Sequence, residues 1–415
     1  MYHQPGSLTR FCCAVGLLIS LSRRVISHSY IPGTLGQCPL NIPAVLQSQD
    51  HLGCSHLVDG SVSHQPIDWS PWTHPPECVH VEKSPATQYC VYSNSQHGNG
   101  GVSIITTPEI AASSLEILND SGETHLRSVA NDSAGAAYEV AEIPGKGMGL
   151  VATRRINRAE AIMADWASLV VHLDFPTSVK RMKGYRLLHR AVDQLLEPDR
   201  VLELARSSTF SNDIVEDVLR TNAFSYPLAG ESHMVLYPEV SRVNHACRPN
   251  AFIRFTPSSL AVSVVVLRDI EPGEEITITY APLGKTREER QIALRHWGFS
   301  CTCALCTASK AEVAASDYRR TKIKTMRQEV MKAVEDWDGT KAVKLTREVL
   351  ELMQEEDLAP LYASQYEILA RLYWKAKDKK TGTKYAQKSI DTLVDQGYLD
   401  SGTDALPSLL KSFDD

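Results

Sequence analysis

The sequence predicts an α+β domain over residues 134–306 followed by an α-helical domain over residues 307–415. Two observations carry this. From Tyr138 onward, short β-prone runs alternate with Gly, Pro and Asp turn signals. After Cys306 the pattern changes to long stretches of helical period. With 415 residues the chain is too long for one small module and suits two or three domains. The composition, 43% hydrophobic and 22% charged, is that of a globular protein. A net charge of -6 gives no overall electrostatic footprint for DNA or RNA, so no direct nucleic-acid binding is expected.

The N-terminal third is read separately. Arg10 precedes an apolar run over 11–21, and small residues follow near Ser27 and Ser29. This fits a cleaved signal peptide over residues 1–29 better than a spanning helix, leaving no membrane span in the mature chain; a gene-model artefact and a buried strand are the other readings. Cys38, Cys54, Cys78 and Cys90 then form an even set suited to disulfides, and Asn119 and Asn131 each head an Asn-Asp-Ser sequon. Residues 30–133 read as a loop-rich accessory region with strand-like runs at 88–92 and 101–106 and a first helical stripe at 110–118; a disordered leader is the alternative.

Within 134–306, strands are expected at 138–143, 149–152, 169–171, 251–255, 261–267 and 275–279. A helical insert is expected at 186–196, 199–206 and 212–219. Beyond residue 306, helices are expected near 311–336, 340–355, 359–377 and 381–396, separated by Asp-Gly, Ala-Pro and Lys-Thr-Gly breaks. Leu361, Tyr362, Tyr366 and Leu369, then Tyr385, Ala386 and Ile390, match part of a tetratricopeptide-like (TPR-like) repeat pattern.

Four motifs carry chemistry. Residues 144–153 (PGKGMGLVAT) form a glycine-rich turn entering a strand, where a missing Cβ lets a ligand approach the backbone. Residues 241–250 (SRVNHACRPN) place an amide, an imidazole and a thiol within four positions, which alone could suggest a Cys/His nucleophile pair. Residues 269–280 (DIEPGEEITITY) are a turn and an alternating strand ending in tyrosine. Residues 299–306 (FSCTCALC) space three thiols for one metal, with a disulfide as the competing reading.

In this order the four motifs resemble the SET-domain protein lysine methyltransferases, above all the SET-and-MYND branch and its fungal relatives. The resemblance covers residues 138–306 and implies a mainly-β, pseudoknotted SET fold in which the segment bearing Tyr280 threads the chain around residues 244–250. It implies S-adenosylmethionine as cofactor, held at its amino-acid and sulfonium end by Lys146, Gly147, Met148, Asn244 and His245, with Phe299 on the adenine. Tyr280 corresponds to the catalytic tyrosine beside the transferred methyl group, Phe224 to an aromatic of the substrate channel, and Tyr237 to its neighbour. Cys247, Cys301, Cys303 and Cys306 correspond to a structural zinc site, and the expected partner is a protein carrying a target lysine.

The sequence also departs from the family. Residues 153–240 contain no cysteine, so the MYND finger is absent; Ala246 and Arg248 replace residues common there. Two rival readings stand beside the enzyme: an inactive SET-fold interaction scaffold, and a secreted disulfide-bonded binding protein. Location is open accordingly, since reduced zinc thiolates suit cytoplasm or nucleus and the N-terminal features suit the secretory pathway.

Overall fold

The computed structural model describes residues 69–119, 136–206, 211–256, 259–399 and 405–414. The expected signal segment, Cys38, Cys54 and Asn131 lie outside them. Thirteen strands occur among the described residues: β1 Glu77–Val81, β2 Ser84–Asn94, β3 Val102–Thr106, β4 Tyr138–Ile143, β5 Gly147–Ala152, β6 Ala161–Trp166, β7 Leu169–His172, β8 Phe224–Leu228, β9 Glu231–Leu236, β10 Asn244–His245, β11 Ala251–Thr256, β12 Ala261–Val266 and β13 Glu275–Ile278. They form sheets ordered β1-β2-β3-β7-β9-β8, β10-β13-β5-β4 and β11-β12-β6.

The first sheet draws strands from both sides of residue 133. β3 pairs in parallel with β7, matching Ser103 to Leu169 and Ile105 to Val171, so residues 77–106 share one six-stranded sheet with β7, β9 and β8. The cause is visible in β3, Val-Ser-Ile-Ile-Thr, which is buried along its whole length and needs neighbours on both edges. Cys78 and Cys90 oppose each other on β1 and β2 and form a disulfide. The stripe expected at 110–118 is two short helices, Pro108–Ser113 and Leu115–Asn119, broken where the Ser114 hydroxyl turns back to the Ile110 carbonyl.

In the insert, helix Arg181–Asp193 buries Gly184, Leu187, Leu188, Ala191 and Val192 at three-to-four-residue spacing against the first sheet. Helix Ile214–Asn222 begins where the Asp213 carboxylate accepts from the Val215 and Glu216 amides. Strands β6, β8 and β9 were not expected from the sequence; in β8 Pro227 disguises the strand.

After residue 306 come helices Lys310–Glu335, Gly339–Glu355, Tyr362–Lys375, Lys379–Asp395 and Ala405–Lys411. The two hairpins turn in the same way. Trp337 and Lys377 sit at positive φ, while Asp338 and Asp378 bond back to the Ala333 and Tyr373 carbonyls and cap the next helix through Lys341 and Thr381. No described helix is long and apolar enough to cross a membrane.

These helices are tied to the sheets by a buried ion network. Glu356, fully buried, accepts from Ser316 Oγ at 2.6 Å, Arg319 Nη2 at 2.6 Å and Arg320 Nε at 2.7 Å, with Arg248 3.5 Å away. Burial pushes its pKa up, yet the hydrogen bonds from Ser316, Arg320 and Arg319 hold it below the usual carboxylate range. Removing one member strands buried charge, so Glu356→Gln is expected to cost roughly 3 kcal/mol in urea unfolding at pH 7. A carboxylate lowered in the fold stabilises above its unfolded pKa, so the deficit should shrink as pH falls through about 4.

Candidate active site

The site is assembled around β13. On one edge it pairs in parallel with β10, matching Asn244 to Thr277 and His245 to Ile278; on the other it pairs with β5, the strand of the glycine-rich motif. Asn250 locks the register: its Oδ1 accepts from the Thr277 amide at 2.8 Å and its Nδ2 donates to the Glu275 carbonyl at 2.9 Å. Two motifs that begin at Pro144 and Ser241 in sequence thus become neighbours.

Asn244 Nδ2 donates to the Met148 carbonyl at 3.3 Å and to Glu275 Oε1 at 3.1 Å, and Lys146 Nζ reaches Glu275 Oε2 at 2.5 Å. Glu275, which the sequence reading did not single out, therefore links the glycine-rich turn to the Asn-His pair. Gly149 is required here: a Cβ would lie 2.5 Å from Asn244 Nδ2 and 2.6 Å from Ile143 Cγ1. Asp165 was also missed. Its buried carboxylate accepts from the Glu239 and Val240 amides at 2.7 and 2.9 Å, fixing the approach to residues 241–245.

His245 is buried, and burial brings its pKa down to about 4. The ring is therefore neutral; Nδ1 accepts from the Tyr280 amide at 3.0 Å, which leaves the proton on Nε2, 3.3 Å from Cys247 Sγ. Tyr280 follows β13 and donates its hydroxyl to the Val243 carbonyl at 2.8 Å. Burial pushes the phenol up to about 12, so it stays protonated near neutrality. Its ring lies 5.5 Å from Trp297 and 6.3 Å edge-on from Phe299.

A cavity of about 460 Å³ joins these groups. Lys146, Gly147, Met148, Asn244, His245, Tyr280 and Phe299 all line it, as do Arg206, Asn222 and Ser241. The sequence-predicted cofactor residues are thus brought together, whereas Phe224 and Tyr237 do not line this cavity. They form an aromatic cluster with Phe255, at ring separations of 5.8 to 6.3 Å, packed on the same core as Tyr280. The Tyr237 hydroxyl is buried there with no hydrogen-bond partner among the described residues.

Beside Phe299, the sulfurs of Cys247, Cys301, Cys303 and Cys306 lie within 4.8 Å of one another. Cys247 is 3.8 Å from Cys301 and 3.5 Å from Cys306. Four thiolates at the zinc–sulfur bond length stand about 3.8 Å apart around a tetrahedron, so the donor set fits such an ion and the gaps are too wide for a disulfide. Hydrogen bonding with Cys301 raises the Cys247 thiol and hydrogen bonding with Cys247 lowers Cys303, as in a cluster that shares protons. The buried Arg290 guanidinium, 3.8 Å from Cys306 Sγ, and Gln291 Nε2, 3.7 Å from it, favour negative sulfur.

Residues 147–281 match the family model for the SET domain. Histone-lysine N-methyltransferase set5 of Schizosaccharomyces pombe is 32% identical over 193 residues, 45% of this chain and 56% of that protein. Histone-lysine N-methyltransferase SMYD3 of Homo sapiens is 46% identical over 72 residues, 17% of this chain and 16% of its own length. N-lysine methyltransferase SMYD2 of Bos taurus is 26% identical over 188 residues, 41% and 43% respectively. The aligned part thus spans about half the length, or less, of these relatives.

Two outcomes check the site. Gly149→Ala should displace the Asn244 amide and weaken the S-adenosylmethionine binding proposed below about tenfold by titration calorimetry, with little loss of stability. Cys306→Ser, or treatment with a strong chelator, should release one metal ion per chain by elemental analysis and expose residues 299–306 to protease.

Proposed function

We propose that the chain is an S-adenosylmethionine-dependent protein-lysine N-methyltransferase. The observation that carries this reading is the single cavity lined by residues 146–148, the Asn244–His245 pair, Tyr280 and Phe299. S-adenosylmethionine supplies an electrophilic methyl group on a sulfonium. Lys146, Asn244 and the exposed backbone at Gly147 orient its amino-acid end, and Phe299 offers a ring face to its adenine.

Tyr280 acts through position and polarity. Its hydroxyl is fixed by the Val243 carbonyl and stays protonated, so it contributes an oriented oxygen dipole beside the reacting carbon and not a general base. The nucleophile is the neutral ε-amine of a protein lysine, aimed along the S–CH3 bond; alignment of this kind contributes much of the rate. Deprotonation is favoured by burial of the amine among Tyr280, Trp297 and the Phe224–Tyr237–Phe255 cluster, which we read as the substrate-channel wall.

The β10–β13 pairing with Asn250 bonded across it we read as the family's pseudoknot, and the four cysteines as its zinc clamp. The hairpins with identical turns we read as a TPR-like array.

Tyr280→Phe should leave the calorimetric affinity for S-adenosylmethionine within about threefold and lower turnover on lysine-bearing protein by about 100-fold, measured with labelled methyl donor. Unchanged turnover would discredit the role of the tyrosine. A folded, metal-loaded wild-type chain that binds no cofactor would leave an interaction scaffold as the reading.

A further inference from the structure

The chain's net charge of -6 conceals a local concentration of the opposite sign. Between Arg371, which is paired with Glu367 at 2.8 Å, and Asp391 there are six lysines, Lys375, Lys377, Lys379, Lys380, Lys384 and Lys388, against one carboxylate, Asp378, which is occupied in capping the Thr381 amide. The fold orders them. Helix Lys379–Asp395 buries Gly382, Ala386 and Ile390, so Lys380, Lys384 and Lys388, two positions out of phase, run along its exposed face about 6 Å apart.

The second observation is aromatic. Trp337 is 80% exposed, and its backbone holds φ 59°, a conformation that a bulky side chain rarely adopts. At the matching turn of the next hairpin, Lys377 occupies the same conformation. Lys375 Nζ lies 4.3 Å from the Trp337 ring centre and Lys379 Nζ 4.5 Å from that of Trp374, so indoles and ammonium groups are interleaved at the hairpin tips.

We propose that this surface, formed by Trp337 and the lysines of residues 375–388, binds single-stranded nucleic acid. Lysines act as point charges that track a phosphate backbone without demanding fork geometry, whereas recognition of carboxylates favours arginine. An indole held outward against local backbone preference offers a face on which any base can stack. The surface is independent of the cofactor cavity, and the site chemistry above stands or falls without it.

The test uses the full metal-loaded chain and a fluorescein-labelled 20-nucleotide oligothymidine, followed by anisotropy. Four phosphate contacts imply about a 50-fold loss of affinity between 50 and 200 mM salt. The triple variant Lys380→Gln, Lys384→Gln, Lys388→Gln should weaken binding at least tenfold and flatten the salt slope by about 2. Trp337→Ala should weaken it about tenfold and Trp337→Phe less, with methyl transfer to a short lysine peptide unchanged. Failure of the wild type to bind at 50 mM salt, or equal binding by the triple variant, would overturn the proposal. So would polyglutamate of equal charge binding as tightly while Trp337→Ala has no effect, which would assign the face to acidic polypeptides.

Discussion

Everything in the site depends on the parallel contact between β10 and β13. β10 is only two residues long, Asn244 and His245, too short to hold itself by backbone pairing. Asn250 supplies what the strand lacks by bonding both ways to β13, and the Ala246 amide adds a bond to the Ile278 carbonyl. Because these bonds set where Asn244, His245 and Tyr280 stand relative to one another, a local loss of register would dissolve the cavity without unfolding the sheets.

The thiol cluster extends the same constraint. Cys247 lies two residues beyond β10, while Cys301, Cys303 and Cys306 follow Phe299, so one ion held by all four would fix the wall bearing Phe299 to the wall bearing His245. Arg248, next in sequence to Cys247, faces Glu356 across to the helical part, and Arg290 joins the sulfurs to the neighbourhood of Asp317. Helical hairpins, thiol cluster and cavity are therefore linked by one polar network with the buried charges Glu356, Arg320 and Arg290 at its centre, which keep their geometry because an alternative arrangement leaves one of them unmatched.

Much of the site was legible because its motifs are local. Lys146–Met148, Asn244, His245, Tyr280, Phe299 and the four cysteines each sit in short runs with distinctive residue types, and all seven proposed cofactor residues line one cavity. Glu275, Asn250 and Asp165 were not singled out. Their roles arise from hydrogen bonds to backbone and side chains far away in sequence, and a carboxylate or amide in a strand or turn carries no sign of such a partner. The aromatic cluster of Phe224 and Tyr237 likewise gained Phe255 only through packing.

By itself the sequence determined strands β4, β5, β7, β11, β12 and β13, the long helices and the chemical types gathered at the site, since these follow from periodicity, turn residues and short motifs. Only the tertiary structure decided that residues 77–106 complete a six-stranded sheet, because parallel pairing of β3 with β7 is a long-range choice between buried strands. It likewise separated the charges of an overall acidic chain, since which lysines share a face depends on which side of a helix is buried.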